Sequence, residues 1–368
     1  MGAPRVNTNV ALLILASLLA TPLAWLLPRR WGLDAVVAVT ALTLALLSPF
    51  SALWMTAAIA SAALAMKLGD AFSRRGLFAS LGAAGLLAAL VLSRSRVDVL
   101  WIGGAYFTLR ILHVLFDWWM GRLAAPGVAR LVRYNFFLPV LATGPINRIQ
   151  HFERQSERRR WDPSAFYTGA ERALFGLAQA TVLGVWLISH VERAVAGATR
   201  EWPPFLQDWS VSVIDWIQLY LNFAGLSSVA LGLSLMMGLR LEENFNSPWT
   251  ATNLIAFWTR WHMTLSFWCR DYVFNPVTAL TRSPLAGLAA AMLAIALWHE
   301  ISTYYLFWAL WQVTGIVITR GWRTWSANRH PDLPTATLWS RILGPIAVLG
   351  WLSLARPTLA HVFGIAPL

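Results

Sequence analysis

Long apolar runs, separated by short clusters of arginine, recur along the whole chain. Those at about 10–27, 32–48, 51–66, 77–93 and 98–120 follow one another with connections of only a few residues. Each approaches the roughly 20 apolar residues that an α-helix needs to cross a bilayer, so each predicts a helix in lipid. The first run has the look of a signal h-region, but a retained spanning helix is expected because the next run follows almost at once. These segments are rich in Ala, Leu and Gly, small residues that let helices approach closely in a membrane. They carry little polar chemistry, and residues 1–120 read as a helical scaffold.

The pattern changes after residue 120. Asn135 to Pro145 is too short and too broken by Pro and Gly for a clean span, which predicts a re-entrant or unwound segment covered by protein. A basic stretch from Arg148 to Arg160 follows, and then a helix capped by Asp162 or Ser164 with Pro163 near its start. Further apolar runs at about 166–191, 208–239, 285–298, 303–320 and 338–354 bring the expected total to about ten or eleven transmembrane or re-entrant helices. Trp325 to Pro334 is the most loop-like stretch of the C-terminal half. No internal repeat is visible. The expectation is one all-α membrane domain over 1–368, with a motif-bearing core at 121–320 and a C-terminal loop and helix at 321–368.

Composition strengthens the membrane assignment. The 368 residues are 57% hydrophobic and only 12% charged, about half the charged fraction of a soluble domain, roughly 25%. The net charge of +12 would point to nucleic acid in a soluble protein. Here the arginines sit between apolar runs, as interfacial anchoring and the positive-inside rule require, so no nucleic-acid partner is expected. The single cysteine, Cys269, excludes an intrachain disulfide, and no CxxC or HExxH metal pattern appears.

Three neighbouring segments carry the candidate chemistry: Glu243 to Trp249, Phe257 to Pro276, and Leu297 to Glu300. Taken as a helix, the second places Ile255, Trp258, His262, Ser266 and Cys269 on one face and Arg260, Thr264 and Asp271 on the opposite one. His262 then points inward, where a packing histidine and a functional one are both possible. His299 falls at the end of a strongly apolar helix, with Leu288, Met292 and Ile295 on its face. An ionisable side chain at membrane depth is costly and marks a functional candidate. Glu300 beside it needs a partner or a proton at the same depth.

These stretches resemble the bacterial branch of the membrane-bound O-acyltransferase family, which includes the membrane proteins of alginate O-acetylation and teichoic-acid D-alanylation. The resemblance rests on Gln218 to Gly238, Glu243-Asn244-Phe245-Asn246, Phe257-Trp258, Arg260-Trp261-His262-Met263, Leu265-Ser266-Phe267-Trp268, Arg270-Asp271-Tyr272-Val273 and Leu297-Trp298-His299. Thr143 to Arg148 is similar to the family's Gly-Pro-Ile element. Glu300 stands where the family's last motif has glycine. The resemblance implies a ring of helices around a central funnel, with the two family histidines falling on His262 and His299.

It further implies His299 as general base and His262 as a positioning or oxyanion-side group, roles that acyl transfer from a thioester to a hydroxyl requires. Asn246, Arg270 and Asp271 are expected to shape the donor entrance, with Trp258 and Glu300 also on the substrate side. No bound cofactor is implied; the donor, acetyl-coenzyme A or an acyl carrier protein thioester, is a co-substrate. The implied partners are the lipid bilayer, the acyl donor and an extracytoplasmic esterase-like or transferase-like protein, and the implied location is the bacterial inner membrane. Two other functions stay open: a transporter or flippase, for which intramembrane His, Glu and Arg provide polar lining, and a catalytically silent scaffold, which Glu300 in place of glycine allows.

Overall fold

The computed structural model describes residues 8–94, 101–141, 143–329 and 338–365, and every regular element among them is a helix. Seven of these helices are long and apolar enough to cross a membrane: Thr8–Leu26, Arg29–Leu47, Pro49–Ala71, Arg75–Leu92, Pro163–Ala198, Pro204–Met236 and Ser340–His361. Pro284–His299 is apolar but shorter. The chain is a multi-pass membrane protein. It divides into two compact units, Met1–Ala178 with Gly225–Glu242, and Gln179–Ala224 with Glu243–Leu368.

The first unit contains α1 (Thr8–Leu26), α2 (Arg29–Leu47), α3 (Pro49–Ala71), α4 (Arg75–Arg94), α5 (Gly104–Trp119), α6 (Val128–Asn135), α7 (Ile149–Arg158), α8 (Pro163–Ala178) and the end of α10 (Pro204–Met236). Many leucines of α1–α4 stay exposed, Leu19 and Leu46 among them, as lipid-facing helices allow. Small residues set the close crossings: a Cβ on Gly169 would lie 2.7 Å from the Gly232 carbonyl oxygen, and one on Gly232 2.5 Å from that of Gly169.

Residues 136–141 and 143–148 form the expected irregular segment, with one 3₁₀ turn at Leu138–Val140. Its residues from Phe136 to Leu141 are buried, so protein covers its backbone, as the membrane requires. A buried polar network anchors it. His113 Nε2 and the Tyr134 hydroxyl lie 3.0 Å apart, that hydroxyl donates to the Asn147 carbonyl, and Asn147 Oδ1 accepts the Glu242 N–H at 2.9 Å. At the start of α8, Asp162 Oδ1 accepts the N–H groups of Ser164 and Ala165 at 3.0 and 3.3 Å, so Asp162 is the cap.

The second unit begins with a π-helical stretch, Gln179–Leu187, and α9 (Ile188–Ala198), followed by most of α10. After residue 243 come α11 (Leu254–Trp258), α12 (Met263–Cys269), a π-helical turn at Arg270–Phe274, α13 (Asn275–Thr281), α14 (Pro284–His299), α15 (Thr303–Arg329) and α16 (Leu338–His361). The sequence stretch expected to be loop-like is helical through Arg329; the remainder, 330–334, lies outside the described residues. Trp322 and Trp325 pack together, centroids 5.0 Å apart, and Arg329 lies over Trp325, contacts that support the extra helical turn.

Candidate active site

Every residue singled out for chemistry falls in the second unit. The first surprise there is local: Phe257 to Pro276 is not one helix. α11 ends at Trp258, and His262 adopts φ 40° and ψ 54°, the left-handed region, immediately before α12. The cause is competition for backbone groups. The Asn246 N–H donates to the Arg260 carbonyl at 3.0 Å, and the Met263 N–H to the Asn244 carbonyl at 2.8 Å. The Thr264 hydroxyl adds a bond to Asn244 Oδ1 at 2.6 Å. These bonds engage the groups that a continuous helix would have needed. Thr264 is therefore buried rather than set on an outward face.

A non-glycine residue in this conformation carries about 1–2 kcal/mol of strain. Such strain persists where the surroundings over-determine it, and it clusters at functional positions. His262 meets the first of these conditions. It is only 3% exposed, and its ring packs against Phe223 at 4.8 Å and Trp298 at 5.6 Å between centroids. Burial, and then the nearby His299 imidazole, push its pKa down to about 3, so the ring is neutral at ordinary pH.

His299 differs from expectation. It is the last residue of α14 and is exposed, not held deep within the helix. Glu300 has extended backbone, φ −165° and ψ 147°, which ends the helix and turns the chain toward α15. Aromatic rings frame the imidazole. Trp298 lies 4.8 Å away, Tyr305 stacks on it at 5.4 Å with 9° between planes, and Trp308 is 6.1 Å away. Trp298 thus touches both imidazoles, one buried and one open, and joins them into one cluster.

Trp258 belongs to the same cluster: it is buried and meets Trp308 at 6.0 Å. Glu300 adjoins it through the chain and is half-buried. The other predicted residues are held elsewhere in the unit. Asn246 is exposed and engaged through its backbone with Arg260. Arg270 is exposed, donates to Asp271 at 2.8 Å and lies 4.8 Å over the Phe267 ring. Among the described residues, no group of three or more His, Cys, Asp or Glu is placed to hold a metal ion.

Sequence reasoning assigned no role to Tyr305, Trp308, Phe223 or Thr264. The dense aromatic start of α15, Tyr304 to Trp311, was the available signal for the first two. Its spacing puts Tyr305 and Trp308 one turn apart, on the face that returns toward His299. Two imidazoles in contrasting environments, one dry and neutral and one reachable by solvent, form an arrangement suited to divided acid–base labour.

The model of the membrane-bound O-acyltransferase family matches residues 121–350. The chain is 28% identical over 256 residues to a probable alginate O-acetylase of Pseudomonas aeruginosa, covering 68% of this chain and 48% of that one. It is 26% identical over 257 residues to a teichoic acid D-alanyltransferase of Bacillus subtilis, covering 66% and 64% respectively. A teichoic acid D-alanyltransferase of Streptococcus thermophilus is 27% identical over 268 residues, again covering 66% and 64%. The chain thus spans about half the length of the alginate relatives and under two thirds of the teichoic-acid ones. With most of its length matched, including both histidines and the helices that carry them, the chain belongs to the membrane-bound O-acyltransferase family.

Proposed function

We propose that this protein transfers an acyl group, acetyl in the simplest case, from a cytoplasmic thioester to a hydroxyl of a cell-envelope polysaccharide or of a relay partner. The observation that carries this is the pair of imidazoles joined by Trp298. His299 acts as general base. It takes the proton of the acceptor hydroxyl as that oxygen attacks the thioester carbonyl; the new C–O bond forms, the C–S bond breaks, and the imidazolium returns its proton to the leaving thiolate. The exposed position of His299 suits a group that must meet an incoming hydroxyl. His262, neutral and held by its strained turn, offers a ring N–H toward the developing oxyanion without bringing a full charge into a dry site.

Coenzyme A and an acyl carrier protein both present such a thioester. Asn246, Arg270 and Asp271 form the donor-side entrance, and Trp258 and Glu300 lie on the substrate side. Residues 121–320 form the catalytic core and 1–120 the scaffold. An extracytoplasmic esterase-like or transferase-like partner completes the route to the polymer, and the protein acts in the bacterial cytoplasmic membrane. The names of the relatives, which mention alginate and teichoic acid, support a polymer acceptor.

The test is His299→Ala, with membrane insertion confirmed and transfer measured from a labelled donor, alongside O-acylation of the envelope in cells. A general base contributes about 10²–10⁴-fold, so transfer should fall by at least about 10²-fold. Full activity in the variant would sink the assignment.

A further inference from the structure

Gln312 lies on α15 with none of its surface exposed, and neither its amide oxygen nor its amide nitrogen has a hydrogen-bond partner. The Trp258 indole N–H, also buried, is likewise without one. Buried polar atoms left this way destabilise a fold, and an apolar side chain of similar size would remove the burden. Their placement is the informative feature. Trp308, Gln312 and Gly315 occupy the buried face of α15. Along α11, Trp258 meets Trp308 at 6.0 Å, while a Cβ on Gly315 would come within 2.5 Å of Leu254 Cδ1. Leu254 and Trp258 are one turn apart, so the two helices run side by side and Gln312 falls between these contacts. Helical side chains lean toward the N-terminus. The Gln312 amide therefore leans toward Trp308, whose ring also packs on His299.

We propose that Gln312 and the Trp258 indole form a hydrogen-bonding subsite beside His299 that binds a neutral amide of the substrate. The donor and acceptor set selects that class. Two N–H sources, Trp258 Nε1 and Gln312 Nε2, suit a carbonyl oxygen, and Gln312 Oε1 accepts the N–H of the same or a neighbouring amide. The indole walls fit a flat, neutral group and disfavour a charged one. On the acyl-transfer function proposed above, on which this subsite rests, the group with that chemistry is the amide-bearing pantetheine arm, common to coenzyme A and carrier-protein thioesters. Gln312 binds and orients; it takes no part in proton transfer.

The probe is S-acetylpantetheine, added to the purified full chain in nanodiscs, with binding read from thermal stabilisation. Wild type should be stabilised by the probe. Gln312→Leu should melt higher than wild type without probe yet bind it at least tenfold more weakly, a combination that a purely structural role does not produce. Trp258→Phe, which keeps the ring and loses the N–H, should weaken binding in the same direction. His299→Ala should bind the probe as wild type does while losing transfer, which separates this subsite from the general-base assignment. Equal binding by wild type and Gln312→Leu, or no binding by wild type, overturns the subsite; full transfer by His299→Ala overturns only the base.

Discussion

Replacing His262 by Gly and by Ala separates the strain at this turn from the chemistry of its ring. Both variants delete the same buried imidazole, so that loss cancels in the comparison, and the spaces they leave differ by one methyl. They differ in the backbone. At φ 40° alanine keeps about 1–2 kcal/mol of left-handed strain that glycine does not feel. Glycine gives back about 0.4–1 kcal/mol through its greater freedom in the unfolded chain. These backbone terms together favour glycine by about 0–1.6 kcal/mol, whereas in an ordinary helix interior alanine is the better residue by about 0.5–1 kcal/mol. The predicted sign is thus inverted. Thermal midpoints of the two purified variants in the same detergent are the assay, with glycine higher by about 1–2 °C. A midpoint for His262→Ala above that of His262→Gly, the order of an ordinary helix interior, would refute the strain and, with it, the account of how Asn244 and Asn246 shape this turn. Transfer adds a second discrimination: His262→Asn, which tolerates the left-handed region and retains an N–H donor, should keep more activity than either.

Two further outcomes follow from the same turn. Because burial holds His262 neutral in the folded protein, with a pKa of about 3, the unfolded chain binds more protons between there and about 6.5. Stability is therefore complete above about 6.5 and falls as pH is lowered, by at most about 1.4 kcal/mol per pH unit. Thermal midpoints of His262→Asn from pH 7 to pH 4 should fall less steeply than those of wild type, and parallel curves would rule out the buried ring as a source of acid sensitivity. Asn244→Ala should cost about 1–3 kcal/mol by removing the buried bond from the Thr264 hydroxyl to Asn244 Oδ1. Adding Thr264→Val should recover part of that loss, and strictly additive effects in this cycle would show that the Asn244–Thr264 bond contributes nothing.

Much of the fold was legible because the bilayer imposes a simple rule. Apolar runs of about 20 residues have few alternatives to a spanning helix, and α1 to α4 begin and end within a few residues of the runs that predicted them. The capping role of Asp162 and the irregular segment after Asn135 were readable for a related reason: Pro, Gly and Asp restrict the backbone locally, whatever lies around them. Where the sequence misled, non-local bonds decided. Residues 257–276 have helical periodicity, yet Asn246 and Asn244, which precede that stretch, engage the backbone at Arg260 and Met263. Periodicity carries no trace of a bond made from outside the window in which it is measured.

The same limit explains the two histidines. Helical periodicity pointed His262 inward, and the structure buries it; depth along an apolar helix suggested that His299 was buried as well, and the structure leaves it exposed. α14 ends at His299, so its apolar run contributes length and not cover, while the broken turn carries His262 into the aromatic cluster. The contrast is chemically coherent. A base that must accept a proton from an incoming hydroxyl and release it again needs access, and a neutral donor facing developing charge needs a dry and rigid position. Trp298 holds the two at neighbouring sites in opposite surroundings, a division of labour that composition and spacing could not specify because it depends on where each helix stops.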